Sequence, residues 1–146
     1  MDKKIAIRLA TSADKPEWLR MRLALWPDEN VADDLDDILA DPNTPVFLAT
    51  RPDGGLCGFL EAGIRKYADG CDTGPVGYIE GWYVDADLRG QGVGAALVHA
   101  AEDWARSLGF TEMGSDTWLA NEGSIQAHLK LGYKDKEHLV HFGKKL

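Results

Sequence analysis

Apolar residues along this chain follow two alternating periods. Ile5-Ala6-Ile7-Arg8-Leu9 and Pro45-Val46-Phe47-Leu48-Ala49-Thr50 read as strands, and Leu56 to Arg65 reads as a strand partnering the second. Arg51-Pro52-Asp53-Gly54-Gly55, between the last two, has the composition of a hairpin turn. Thr11 or Ser12 can cap a helix running to about Leu25, with Leu19, Arg22 or Leu23, and Trp26 at near-helical spacing and Pro27 as its stop. A second helix is expected over Val31 to Leu39, with Leu35, Ile38 and Leu39 inward. Asp69-Gly70 and Gly74-Pro75 mark a loop before an aromatic and β-branched strand, Val76 to Val84. The long helix spans Gly92 to Leu108, with Val93, Leu97, Ala100, Trp104 and Leu108 on one face and Gly109 as its C-cap. Thr111 to Thr117, Asn121 to Leu131 and Tyr133 to Phe142 then read as strand, helix and strand. The expected order is β, α, α, β, β, β, α, β, α, β.

The segment Val84-Asp85-Ala86-Asp87-Leu88-Arg89-Gly90-Gln91-Gly92-Val93-Gly94-Ala95 joins a strand to the long helix. Glycines let the backbone approach a ligand closely, and free N–H groups at a helix start attract anions. The loop lacks the Gly-Lys-Ser/Thr ending of a Walker loop. It also lacks the Gly-x-Gly-x-x-Gly spacing and early position of a dinucleotide fingerprint. Its spacing is Arg-x-x-Gly-x-Gly, as Arg89, Gly92 and Gly94. The alternative is a glycine-rich turn without a ligand.

The chain has 146 residues, enough for one domain with its own core, and 45% hydrophobic residues with five tryptophans argue against disorder. No apolar run is long enough for a membrane span and no signal-peptide core is visible, so no membrane partner is expected. Cys57 and Cys71 form neither a disulfide framework nor a zinc motif, and a reducing cytoplasm is the default expectation. His99, His128, His138 and His141 lack ligand spacing, so no metal is expected. The net charge of −8 argues against nucleic-acid binding and favours cationic partners. Seven acids, Asp28, Glu29, Asp33, Asp34, Asp36, Asp37 and Asp41, cluster in one stretch without Lys or Arg. A solvated helix face accounts for several of them.

The Arg-x-x-Gly-x-Gly loop resembles the coenzyme A pyrophosphate loop of the GCN5-related N-acetyltransferases. Asn121-x-x-Ser124 followed by Leu131-Gly132-Tyr133 is similar to the Asn-x-x-Ala … Gly-Phe element that closes their coenzyme site. The resemblance covers the whole element order. It implies an α/β (α+β) acetyltransferase fold: a mixed, partly antiparallel central sheet, splayed in the middle and flanked by about four helices. It also implies acetyl-CoA as cosubstrate, with Trp82, Tyr83, Val84, Arg89, Gly90, Gln91, Gly92, Val93, Gly94, Ala95 and Asn121 at the cofactor. Asn121 could equally serve as a helix N-cap.

Leu25-Trp26-Pro27, the run from Ile64-Arg65 through Tyr67 to Gly70-Cys71-Asp72, Glu80-Gly81 and Ser115-Asp116-Thr117 resemble a subgroup, the aminoglycoside 6′-N-acetyltransferases. That likeness implies a substrate wall of Trp26, Glu29, Tyr67, Glu80, Asp116 and Glu137. Carboxylates and flat rings suit a polycationic sugar. Trp26 and Tyr67 could instead be core residues, and Glu137 a solvated strand end. Glu80 and Asp116 interrupt apolar strands, where a carboxylate is costly unless paired or functional. Two strand acids simply facing water is the other reading.

The expected mechanism is direct attack of the amine on the thioester in a ternary complex. Glu80 is the candidate base, directly or through a water, and Asp116 holds the ammonium. A main-chain N–H near Trp82 or Tyr83 polarises the carbonyl. His128 occupies the position where many family members carry a tyrosine to protonate the leaving thiolate; either it donates or no dedicated acid is needed. Cys71 as an acyl-carrying nucleophile is a rival, though its surroundings are acidic. Acetylation of another small polyamine or amino sugar, and a silent coenzyme sensor, are alternative functions. The resemblance also implies a homodimer, with Val140-His141-Phe142 as an edge candidate.

Overall fold

The computed structural model describes residues 5–27 and 30–146. Five strands form one sheet in the order β1 (Ala6–Leu9), β2 (Val46–Thr50), β3 (Leu56–Arg65), β4 (Val76–Val84) and β5 (Met113–Ser115). The first three pairings are antiparallel and β4 pairs with β5 in parallel. The helices are α1 (Lys15–Leu25), α2 (Leu35–Ala40), α3 (Val93–Ser107) and α4 (Glu122–Lys130). Among the described residues no helix is long and apolar enough to cross a membrane.

The sheet buries both faces along β2 and β3, where Val46 to Ala49 and Leu56 to Gly63 are buried without alternation. One face carries α3, where Phe47, Leu60, Ile79, Leu97 and Val98 pack together. The other carries α1 and α2, with Trp18, Met21, Leu35, Leu48 and Phe59.

The elements differ from the sequence expectation in five places. The inward face of α1 is Trp18, Met21 and Arg22, while Leu23 is exposed. Helix α2 starts four residues later than expected, at Leu35, with the preceding turn burying Val31. The buried stripe of α3 runs through Val93, Leu97, Val98, Ala101 and Ala105. Ala100 and Trp104 flank it, and Leu108 lies outside on the exposed side. Tyr133 to Phe142 is not a strand: the segment pairs with none of the five strands, the open outer edge of β5 included. Strand β5 is also shorter than expected, since its ladder with β4 ends at the pair Ile79–Ser115.

A buried ion pair ties α1 to the sheet. Arg22 and Glu61 are 5% and 6% exposed. Arg22 donates from Nε and Nη2 to the two Glu61 oxygens at 2.7 and 3.0 Å, and the Trp18 indole adds a bond of 3.0 Å. The second Arg22 arm donates to the Val31 carbonyl and to Asp34. Burial pushes the Glu61 carboxyl up, against the pull of Arg22 and Trp18. Burial opposes the charge of Arg22 as well, but Glu61 and Asp34 outweigh it and hold the guanidinium charged.

Removing one partner of such a pair leaves an uncompensated buried charge. Arg22→Met is expected to destabilise the fold by about 3–5 kcal/mol in urea unfolding. Pairing it with Glu61→Leu should recover most of that loss. A second ion pair gives a pH signature. Arg8 grips both oxygens of Asp14 at 2.8 Å, and the Thr11 N–H adds a bond. Arg8 is the main cause that holds the Asp14 carboxyl down at about 2. A depressed carboxyl contributes stability above its unfolded value, lost as pH falls through the folded one. Asp14→Asn should therefore cost about 1 kcal/mol at pH 7, after screening at the half-exposed Arg8, and the gap to the parent should close between about pH 4 and 2.

Candidate active site

The loop between β4 and α3 is built as an anion cradle. Gly90 and Gly92 have φ of +77° and +87°, the left-handed region that glycine enters without steric cost. A Cβ at either would meet nothing within 4 Å, so the loop is open on that side. Gly92 is the N-cap of α3 and supplies no side-chain acceptor, and the first intrahelical bond is Ala96 N–H to the Gly92 carbonyl. The N–H groups of Val93, Gly94 and Ala95 therefore precede the helix ladder and suit a phosphate. The two carboxylates of the loop itself are paired with arginines. Asp85 accepts from Arg20, Arg51 and Tyr83, and Asp87 accepts from both arms of Arg51. Burial would raise the Asp85 carboxyl, but these donors outweigh it and hold it below its usual range.

Trp82, Tyr83 and Val84 lead into this cradle along β4. The Trp82 indole donates to the Gly94 carbonyl at 3.2 Å, and a Cβ at Gly94 would crowd its ring at 3.1 Å. Arg89 donates to the Val84 carbonyl and lies 5.5 Å from the Tyr83 ring. Gln91 donates back to the Asp87 carbonyl. Asn121 is the N-cap of α4: its amide oxygen accepts from the Ser124 N–H at 3.1 Å, which leaves the amide NH₂ outside the cap bond.

Strand β4 bulges at the next position of interest. Glu61 pairs with Gly81 and Ala62 pairs with Ile79, so Glu80 is the extra residue of the β3–β4 ladder. It also follows Ile79, the last β4 residue paired with β5. Glu80 and Asp116 thus stand immediately beyond the point where β4 and β5 part.

Neither carboxylate simply faces water. Arg65, at the end of β3, donates to both Glu80 oxygens at 2.7 and 3.1 Å. Its guanidinium carbon lies 3.5 Å from the centre of the Tyr78 ring. The Tyr78 hydroxyl donates to Asp116 at 2.6 Å. Burial first, and Asp116 second, push the Tyr78 phenol up, so it remains a donor. Glu80, Arg65, Tyr78 and Asp116 form one connected set. The sequence marked the two acids, and it contained Arg65 and Tyr78 without revealing that they join them.

Trp26 lies on the same side. It meets Phe59 edge-on at 6.1 Å and Arg22 at 5.4 Å. Gly81 makes room for it, because a Cβ there would collide with the indole. Trp26, Asn30, Asp34, Glu61 and Glu80 line part of a cavity of about 330 Å³.

The remaining residues form an outer rim. Tyr67 is 74% exposed and donates to Asp69, which corrects the core alternative considered for it. Glu137 is exposed on the non-strand C-terminal segment, close enough to Tyr67 for its charge to raise the phenol slightly, after the larger effect of Asp69. Lys136 of that segment packs on Gly70 and reaches Asp72 at 4.0 Å. Glu29 lies outside the described residues. Cys71 fails the test for an activated nucleophile: burial, then Glu112 and Asp72, push its thiol up. Among the described residues no three His, Cys, Asp or Glu side chains gather closely enough to hold a metal. His128 instead meets Ser115 at 2.7 Å and the Ser124 carbonyl at 2.7 Å.

Comparison with known proteins agrees with this geometry. The Acetyltransferase (GNAT) family model matches residues 11–133. An aminoglycoside N(6′)-acetyltransferase type 1 of Klebsiella aerogenes is 43% identical over 153 residues, covering 100% of both chains. The aminoglycoside 6′-N-acetyltransferase AAC(6′)-Ih of Acinetobacter baumannii superposes with a TM-score of 0.92 at 30% identity, over 98% of this chain and 99% of that one. AAC(6′)-Iy, solved with the bisubstrate analog CoA-S-monomethyl-acetylneamine, superposes with a TM-score of 0.90 at 33% identity, over 98% and 99% of the two chains. An anion cradle at the head of α3, an acidic set where the sheet opens and these likenesses lead to one conclusion: the chain belongs to the GNAT family of acetyltransferases.

Proposed function

We propose that this chain transfers the acetyl group of acetyl-CoA to the 6′-amino group of aminoglycoside antibiotics and so inactivates them. The observation that carries this reading is the placement of Glu80 and Asp116 immediately beyond the last β4–β5 rung, linked through Arg65 and Tyr78. The relatives named for this activity, and the bisubstrate analog bound by one of them, support it.

The cradle residues fit the coenzyme: Gly90 to Ala95 offer main-chain N–H groups to its pyrophosphate and Arg89 adds a cation. Acetyl-CoA supplies the activated acetyl group. Asp116 holds the acceptor ammonium by a charge-assisted hydrogen bond, and Tyr78 fixes the carboxylate that does so. Glu80 takes a proton from the amine, directly or through one water, after the ammonium competes with Arg65 for its oxygens. A main-chain N–H near Trp82 or Tyr83 polarises the carbonyl. Trp26, Tyr67 and Glu137, with Glu29, form the wall for the sugar rings. Free thiols at Cys57 and Cys71 support a reducing cytoplasmic setting. The net charge of −8 favours the cationic acceptor over nucleic acid.

Free-thiol release from acetyl-CoA should require an aminoglycoside bearing a 6′-amino group. Glycosides with a 6′-hydroxyl, polyamines and a lysine peptide should be poor acceptors. Asp116→Asn and Glu80→Gln should each lower kcat/KM by about 100-fold while coenzyme binding, followed by calorimetry, stays within twofold. Turnover of polyamines without any aminoglycoside activity would refute the acceptor. The homodimer reading rests on Leu139, Val140 and Phe142, which are 57%, 76% and 93% exposed on a segment that pairs with no strand among the described residues. Sedimentation should give twice the 16.0 kDa mass, and Val140→Asp with Phe142→Asp should return the monomer.

A further inference from the structure

Ser115 and His128 form a hydrogen-bonded couple whose direction follows from the nearest partner of Nδ1, the Ser124 carbonyl at 2.7 Å rather than the Ser124 hydroxyl at 3.4 Å. His128 Nδ1 lies 2.7 Å from the Ser124 main-chain carbonyl, which can only accept, so Nδ1 carries the ring proton. Nε2 is then an acceptor, and the Ser115 hydroxyl 2.7 Å away donates to it. The ring is held between the Trp82 and Tyr133 rings, both edge-on at 5.1 and 5.8 Å. A hydroxyl, an imidazole and a fixed acceptor behind it make the constellation that moves protons in acyl-transfer sites. Here a main-chain carbonyl stands where a carboxylate is more usual. Ser115 is the final β5 residue paired with β4, opposite Ile79, and the next residues on the two strands are Asp116 and Glu80. Both groups are part-buried, and the couple lies where the strands part.

We propose that Ser115 and His128 are a proton shuttle that carries one proton from the acceptor nitrogen to the coenzyme sulfur. The inference rests on the acetyl-transfer reading above and assigns a function to Ser115. An ammonium acceptor loses two protons in becoming an amide. One leaves through Glu80 to solvent. The other stays on nitrogen until the C–N bond has formed and then passes to Ser115 Oγ, while the serine proton moves to Nε2; where the leaving thiolate needs no proton, the nitrogen loses it to solvent after the C–S bond breaks. The Nδ1–H bond to the Ser124 carbonyl stabilises the resulting imidazolium. As the C–S bond breaks, its electron pair leaves on sulfur. The Ser115 hydroxyl gives its proton to that sulfur and recovers one from Nε2. One bond forms, one breaks, nothing is oxidised, and the couple ends as it began. Nitrogen and sulfur are attached to the same carbon during this exchange, so one rotating hydroxyl can serve both.

The test compares acetyl-CoA with an acetyl thioester of an acidic aromatic thiol, whose thiolate departs without a proton. Ser115→Ala and His128→Gln should each lower kcat by about 100-fold with acetyl-CoA, leaving its KM within twofold. With the aromatic thioester each variant should stay within about threefold of the parent. The double variant should be no slower than either single one, as expected of groups acting as a unit. Ser115→Thr, which keeps the hydroxyl, should retain most activity and controls for a folding defect. Equal losses on both thioesters, or losses that multiply in the double variant, would overturn the shuttle. Nitrogen-15 NMR of the free protein supplies a reading that needs no acceptor: the Nδ1–H tautomer of His128 is expected, and the Nε2–H tautomer overturns the proposal. Failure of aminoglycosides as acceptors would instead appear in the amine panel, with the tautomer unchanged.

Discussion

The site depends on the unequal support of β4. On one side it is held to β3 from Gly58–Val84 to Arg65–Val76. On the other it is held to β5 for three residues only, ending at Ile79–Ser115. A bulge falls at Glu80, where the second support ends. A strand that stayed paired on both sides would close the sheet and leave no place for a ligand between its edges. The bulge re-aims a carboxylate at the same position, as bulges beside active sites commonly do. Gly63 completes the arrangement, since a Cβ there would lie 3.3 Å from a Glu80 oxygen.

Charge is managed differently at the two ends of β4. At the α3 end, arginines pair with Asp85 and Asp87, the acids of the loop itself, which eases the approach of an anion. At the Glu80 end the acids are engaged by the part-exposed Arg65 and by the hydroxyl of the buried Tyr78, while Glu80 and Asp116 themselves stay exposed, as a cationic ligand needs. The overall excess of acid says little about either end. The local pairing decides which sign of ligand each end accepts.

The sequence made the frame legible because its strands and long helix obey clear periods and its loop is bracketed by glycines. Motifs placed Glu80 correctly in a strand; Asp116, expected inside one, lies one residue past the end of β5. Pairings distant in sequence stayed hidden. Arg22 reads as a polar interruption of a helix, yet it is buried because Glu61 is 39 residues away in sequence and lies beneath it. Nothing local to Ser115 announces His128, 13 positions later. The error at Tyr133 to Phe142 has the same origin. A β-like composition forms a strand only where the segment meets a partner edge, and periodicity does not say which segments meet.

Arg65 has a consequence for discrimination among amines. In the free protein it already occupies Glu80 with two short hydrogen bonds. It is a tethered competitor, and a short tether keeps its effective concentration in the millimolar range or above. A simple monoamine brings one ammonium and must win that contest at a single carboxylate. A ligand with several ammonium groups can anchor elsewhere on the acidic wall and then meet the guanidinium on equal terms. With Glu80 in the acceptor role proposed above, the arginine would act as a filter on valency, turning away small monoamines without any pocket shaped against them.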